Sequence, residues 1–452
     1  MRTLLALAAI AAHSDASAFC GTYVGSPGVE LINQTSQVIM SRQGARTTLT
    51  LANEYEGPAS DFAMLIPVPE VLGEDAISTA RPELFQRFDD YSAPRVVTYE
   101  CEDFAWEDGD ADADADADSD ADADTSAPPD VVVEAQYQVG IYDIVILSAV
   151  ESGALLTWLD DNGYGITPDA GEILGDYIDA GSFFFAAKVN LDEVPEEASF
   201  LEPLQFSYES EAFSLPIRLG TINSPGVQDV VIYVLSPWDG GRVGISNYPE
   251  LEIEDECMVD VYGAGGVDAH YAGLFEDAWA AQAGAGWLLE YAWRPSGCDP
   301  CATTPPTPDE LNEAGFSGDT YEAFFSRIRM RYTPEAGTQD ITLYQSGIKS
   351  FDQIRFIDYN DRMEDRFEVC GVGMVDDPGS CDEEADPGPG GGEEADPGAD
   401  GEDEWERSPS SEEEKADSAS SGCSVAQARH RSMLAVLLVS LIALTGRRRS
   451  AA

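Results

Sequence analysis

Two cysteines three residues apart, in Cys298-Asp299-Pro300-Cys301, form the densest reactive group in this sequence. Such spacing serves a redox couple, half of a zinc site, or a short disulfide. A thioredoxin-like couple places its first cysteine at a helix N-terminus, where the dipole favours thiolate. Here Pro305-Pro306 follows and will not continue a helix. A zinc site needs a second ligand pair, and no second CxxC or nearby histidine is present. The expectation is a structural disulfide, with a redox couple as one alternative function. A second constellation is the alternating run Asp110, Asp112, Asp114, Asp116 and Asp118. In extended chain these carboxylates share one side and could hold a hard cation such as calcium. The glycine and terminal glutamate of a tight calcium loop are missing, so only weak binding is expected, and no other cofactor. A histidine-dependent triad has one candidate in the body, His270, inside a predicted helix beside Tyr271. Acids are too numerous for any single hydrolase pair to stand out.

The eight cysteines are Cys20, Cys101, Cys257, Cys298, Cys301, Cys370, Cys381 and Cys423. Cys370 and Cys381 enclose a short glycine-rich loop and are expected to pair; Cys20 with Cys101 is a further candidate. Both expectations presume an oxidising compartment. That presumption comes from the ends. Met1-Arg2, the apolar Leu4–Ala12 and Ala16-Ser17-Ala18 read as a signal peptide cut after Ala18. At the other end, Ser421-Gly422-Cys423 precedes an apolar run from Met433 to Leu444 and Arg447-Arg448-Arg449. The run is short for a spanning helix, but terminal arginines favour retention on the cytoplasmic side. This ending resembles the myxobacterial-type C-terminal sorting signal. The resemblance implies processing or lipid attachment at Cys423, and an exported protein at the outer membrane or cell surface.

Acids outnumber bases 85 to 24, for a net charge of -61. Residues 102–124 supply 12 acids and no base, and residues 382–417 supply 16 acids against Arg407 and Lys415. Most of the charge therefore sits on the folded part. Such a surface repels nucleic acid and attracts cations and basic proteins.

The elements that must position any site are mostly β. Residues 36–41 and 46–54 predict a hairpin around Gln43-Gly44, and 61–68 a buried strand. Residues 81–91 predict a helix. Residues 131–139 and 142–149 predict a second hairpin. Helices follow at 151–162 and 168–180, stopped by Gly163 and Gly181. Strands are expected at 183–190, within 207–219, and at 228–236. A second block from Pro237 adds a helix over 268–283, a strand over 286–293, and a strand pair at 326–333 and 340–345. The expected class is α+β, with mixed or antiparallel sheets, short helices and room for two subdomains. The expected divisions are a signal peptide (1–18), a β-rich domain (19–236) with an acidic insertion (107–128), a second disulfide-containing block (237–381), an acidic stalk (382–422) and the tail (423–452).

A run of short segments carries a family resemblance. They are Cys20-Gly21, Asp61-Phe62-Ala63-Met64-Leu65-Ile66-Pro67-Val68-Pro69, and Ala93-Pro94 ahead of Cys101. Trp158-Leu159, Asn162-Gly163-Tyr164 and Phe184-Phe185-Ala186-Ala187-Lys188 follow. Pro216-Ile217-Arg218-Leu219-Gly220, the CxxC and Arg327-Ile328-Arg329-Met330-Arg331-Tyr332 complete the order. Over roughly residues 20–345 it resembles the exported bacterial proteins of domain-of-unknown-function family 2330. That resemblance implies no activity, because the family has none assigned. The functional expectation is an envelope-anchored, non-catalytic protein that binds a partner, a glycan or cations. A carboxylate-based hydrolase and a CxxC redox protein are the alternatives.

Overall fold

The computed structural model describes residues 36–52, 63–99, 131–190 apart from 165 and 167–169, and 202–380 apart from 223–225 and 264–265. For Ser36 and for residues 22–24 it describes the backbone alone. The chain divides into two units, Met1–Asp386 and Pro387–Ala452, and every described residue belongs to the first.

In chain order, β1 (Thr22–Val24), β2 (Ser36–Gln43), β3 (Arg46–Leu51), β4 (Ala63–Val68) and β5 (Ile77–Thr79) precede α1 (Glu83–Ser92) and β6 (Arg95–Val97). Next come β7 (Val131–Val139), β8 (Tyr142–Ala149), α2 (Ser152–Asp161), α3 (Ala170–Asp179), β9 (Phe183–Val189), β10 (Leu204–Glu209) and β11 (Ser214–Leu215). β12 (Gln228–Pro237), β13 (Val243–Ile245) and β14 (Met258–Val259) lead to α4 (Gly266–Ala280) and β15 (Ala285–Trp293). The described part ends with α5 (Pro308–Glu313), β16 (Ala323–Tyr332), β17 (Ile341–Gln345), β18 (Asp352–Gln353) and β19 (Arg355–Asp358).

These strands build two large sheets. One runs β1-β4-β9-β8-β7 and is antiparallel throughout. The other runs β18-β15-β16-β12-β2-β3-β10-β5, with one parallel pair, β12 beside β2. Two three-stranded sheets, β11-β17-β13 and β14-β19-β6, flank them. Mixed and antiparallel sheets with short helices make this an α+β fold.

Side-chain alternation explains the layering. In β12, Val230, Ile232 and Val234 enter the core between the two large sheets, where they join Ile144, Ile146, Phe185 and Phe206. Their neighbours Val231, Tyr233 and Leu235 point the other way, into a second core with Leu84, Phe85, Phe88 and Tyr91 of α1 and Leu311 of α5. A strand covered on both faces needs a near-continuous apolar run, which Val230–Leu235 supplies. On the far side, Leu147, Phe184 and Ala186 of the five-stranded sheet meet Leu155 and Leu159 of α2 and Leu174 of α3. Each fully buried aliphatic or phenylalanine side chain contributes roughly 1.5–3 kcal/mol. Phe185 and Phe206 stack at 5.0 Å across the central core and tie one large sheet to the other.

The expected boundary after residue 236 falls inside β12, whose neighbours are β2 and β16. Both sides of that position share one sheet and one core, so no subdomain begins at Pro237. The strands expected at 326–333 and 340–345 both form, but not as a pair. β16 lies between β12 and β15, and β17 between β11 and β13. The turn after Thr333 carries the chain into a different sheet. Helix α5, with a Thr307/Glu310 capping box, has no counterpart in the sequence expectations.

Candidate functional site

The end of α2 shapes a concavity among the described residues. Gly163 has φ 78°, its N–H donates to Asp160 O at 3.1 Å, and the Tyr164 N–H donates to Leu159 O at 2.8 Å. This is a Schellman closure, which needs a left-handed residue and therefore favours glycine. It turns the chain back so that Tyr164 stacks on Trp158 at 6.0 Å. The pair stands beside the outer face of the five-stranded sheet. There Asp143 of β8 lies opposite Lys188 of β9, and Gln136 of β7 opposite Val145.

Together these groups line a half-open cavity of about 320 Å³. Val133 and Val145 give it apolar surface, and Trp158 and Tyr164 give it flat aromatic surface. Gln136, Asp143, Asn162 and Lys188 supply donors and acceptors. Asn162 is held by a 2.7 Å bond from its Nδ2 to Trp158 O. Lys188 Nζ lies 5.8 Å from the Tyr164 ring centroid and forms no salt bridge among the described residues. Burial pushes the Tyr164 phenol up to about 12, with the Asp143 charge adding to it. The phenol is therefore a neutral donor at physiological pH. Asp143 is the single acid lining the cavity, so the paired carboxylates of a glycosidase are not assembled here.

A second polar constellation is buried rather than open. β16 carries Arg327, Arg329 and Arg331 on its outer face, with Ile328, Met330 and Tyr332 facing the central core. A bulge in β15 between Leu289 and Tyr291 turns Glu290 to the same outer side. Arg327 Nε meets Glu290, and its Nη1 meets Asp89 of α1 at 2.6 Å. The Tyr271 hydroxyl of α4 donates to Glu290, and the Tyr233 hydroxyl donates to Asp89 at 3.0 Å. Arg329 pairs with Asp229, and Arg331 with Asp229 and Glu276. Each acid here is already neutralised by a guanidinium, so the cluster clamps helices α1 and α4 onto the sheet and leaves no free acid or base.

One carboxyl stands apart. Burial pushes Asp255 up to about 7; the negative charges of Glu256 and Asp352 add to this, against the pull of Arg355. The unfolded value is about 3.9, so the folded state holds this proton more tightly. Its contribution to stability is therefore full below about pH 4 and is lost as pH rises to about 7. Asp255→Asn should remove that slope. Urea midpoints of the two proteins should diverge between about pH 4 and 7 and run parallel above; a constant difference across the range would refute this assignment.

One of the two disulfides among the described residues differs from the sequence expectation and the other, Cys298–Cys301, matches it. Cys370 is bonded to Cys257, not to Cys381. β14 and the segment before Cys370 bring the two together: Met258 N donates to Glu368 O at 2.7 Å, and Cys370 N to Met258 O at 3.0 Å. Partners 113 residues apart cannot be found from loop spacing. Cys298 and Cys301 are bonded to each other. His270 packs edge-on against Phe356 at 5.1 Å, and its buried Nε2 has no partner among the described residues. Ala18, Cys20, Cys101, Cys381, Cys423 and the Asp110–Asp118 run lie outside the described residues. Among the described residues, no group of three or more acids, histidines or cysteines is placed to hold a metal ion. Among them, too, no helix is long and apolar enough to cross a membrane.

None of the cavity residues was expected as a site. Trp158, Asn162, Tyr164 and Lys188 do fall in the segments that carry the family resemblance. Only the α2 closure and the β8–β9 pairing bring them together. A family model described as "Uncharacterized protein conserved in bacteria (DUF2330)" matches residues 14–344. No curated protein matches, and no solved structure matches.

Proposed function

This chain belongs to the DUF2330 family of uncharacterized proteins conserved in bacteria, and from that premise we propose that it is a non-catalytic glycan-binding protein of the cell envelope. The observation that carries the reading is the Trp158–Tyr164 pair above a polar rim. A sugar ring has an apolar C–H face and a girdle of hydroxyls. Flat aromatic surface takes the first, and Gln136, Asp143, Asn162 and Lys188 offer both donors and acceptors to the second. The cavity holds one acid and no histidine, which favours binding over hydrolysis. The signal-like N-terminus and the Cys423 tail support export and attachment.

The test is binding of the full chain to a panel of neutral oligosaccharides. Trp158→Ala should weaken binding to any positive member at least about tenfold, the loss expected when a central aromatic anchor is removed. A reduction of that kind with unchanged thermal stability supports the reading. Equal affinity of the two proteins, or no positive member in the panel, sinks it.

A further inference from the structure

We propose that Cys298–Cys301 is an exchangeable disulfide that accepts two electrons from a dithiol. The argument rests on the cation beside it. Arg95 of β6 is 9% exposed. Its Nη1 donates to Pro300 O, between the two cysteines, at 3.3 Å, and its Nη2 donates to Tyr91 O. Its Nε is buried and has no partner among the described residues. The guanidinium lies over the Tyr291 ring at 5.4 Å. No described carboxylate pairs with it, although acids outnumber bases 85 to 24 across the chain.

A buried cation without a counter-charge is costly. Two other cations at this loop are offset. Arg87, which bonds Thr303 Oγ1 at 3.0 Å and Pro305 O at 2.7 Å, pairs with Glu310. Arg355, which reaches Asp299 O at 3.5 Å, pairs with Glu256. The loop's own acid is Asp299, and the nearby Tyr91 and Tyr291 phenols are held neutral by burial. Arg95 has no such anion; Arg294, which also forms no ion pair among the described residues, lies instead over the Trp238 ring at 3.7 Å. A thiolate at Cys298, which packs against the α1 core, would supply the anion that Arg95 lacks. The guanidinium would then do for this loop what a helix N-terminus does in thioredoxin-like proteins.

The sulfurs are arranged for exchange, with Cys301 exposed and Cys298 partly buried. A thiolate of the dithiol attacks Cys301 Sγ. The S–S bond breaks, and Cys298 Sγ leaves with the electron pair, on the loop whose Pro300 carbonyl accepts from Arg95. The second thiolate of the dithiol attacks its own sulfur in the mixed disulfide and releases Cys301 as thiolate. The dithiol is oxidised to a disulfide; two electrons pass to Cys298 and Cys301, and the two protons pass through solvent. Stabilising the reduced form in this way makes a disulfide more oxidising.

The test uses the full chain in stepped glutathione buffers, with alkylation of free thiols and peptide mass spectrometry. Cys298–Cys301 should open while Cys257–Cys370, with Cys257 buried, stays closed. Arg95→Gln should move its equilibrium about tenfold toward the disulfide, and Arg95→Lys should restore most of it. In Cys301→Ser, the alkylation midpoint of Cys298 should fall below the ordinary value of about 8.5. This last measurement decides the matter if Arg95→Gln does not fold. Rates with dithiothreitol and with a reduced two-cysteine peptide separate a small dithiol from a peptide-borne one. Simultaneous opening of both disulfides, or a Cys298 midpoint at or above about 8.5, would overturn the proposal.

Discussion

Arg327→Met should destabilise the fold by about 3–5 kcal/mol, the cost of removing one partner from a buried ion pair. Glu290 is 1% exposed and would keep its charge without its guanidinium. Asp89 would lose its 2.6 Å partner, and Tyr233 the cation over its ring at 5.3 Å. Burial alone disfavours the charged guanidinium, but the carboxylates of Glu290 and Asp89 more than offset it and hold Arg327 charged. Denaturant midpoints measure the loss. The double variant Arg327→Met, Glu290→Leu should recover part of it, because it removes both buried charges. A single-variant cost under about 1 kcal/mol would mean that Glu290 finds another partner or solvent, and that the clamp between α1, α4 and the sheet is not real. An exposed pair gives the contrast: Arg46 and Glu209, both more than half exposed and 4.0 Å apart, should contribute little.

Replacing Cys257 and Cys370 together by alanine should cost about 4–5 kcal/mol, from the loop-closure entropy of a bridge spanning more than 100 residues. The separation of 113 residues sets that scale. The bridge also fixes β14 and the small core of Cys257, Phe275, Leu288 and Phe356 beneath α4. The corresponding double replacement at Cys298 and Cys301 should cost no more than about 2 kcal/mol, because so short a loop is already nearly closed in the unfolded chain. Thermal unfolding of the two double variants compares them directly. Equal losses would contradict the loop-length argument and place the effect in local packing.

Much of the fold is legible locally. Strand alternation placed the hairpins β2–β3 and β7–β8, and Gly163 and Gly181 marked the ends of α2 and α3. Each of those features is encoded within a few residues. What stays hidden depends on partners. The segment Arg327–Tyr332 has a plain period of two, so one face had to be charged and the other apolar. Nothing local says that Glu290, Asp229, Asp89 and Glu276, all at least 37 residues away, would neutralise it. The same holds for the cavity, whose aromatic pair and Asn162 are local to the end of α2 but whose other polar residues come from β7, β8 and β9.

By itself the sequence determined most of the longer elements, though not α5, together with the α+β class and the acidic composition, because composition and periodicity act over one or two turns of chain. Tertiary structure alone decided that residues on both sides of Pro237 share one core, that Cys370 meets Cys257, and that Trp158 stands beside Lys188. It also decided that Arg95 is left without an anion next to Cys298–Cys301. The physical reason is the same in each case. Periodicity tells a side chain which way to face, whereas its neighbour is chosen only when sheets and helices close over one another.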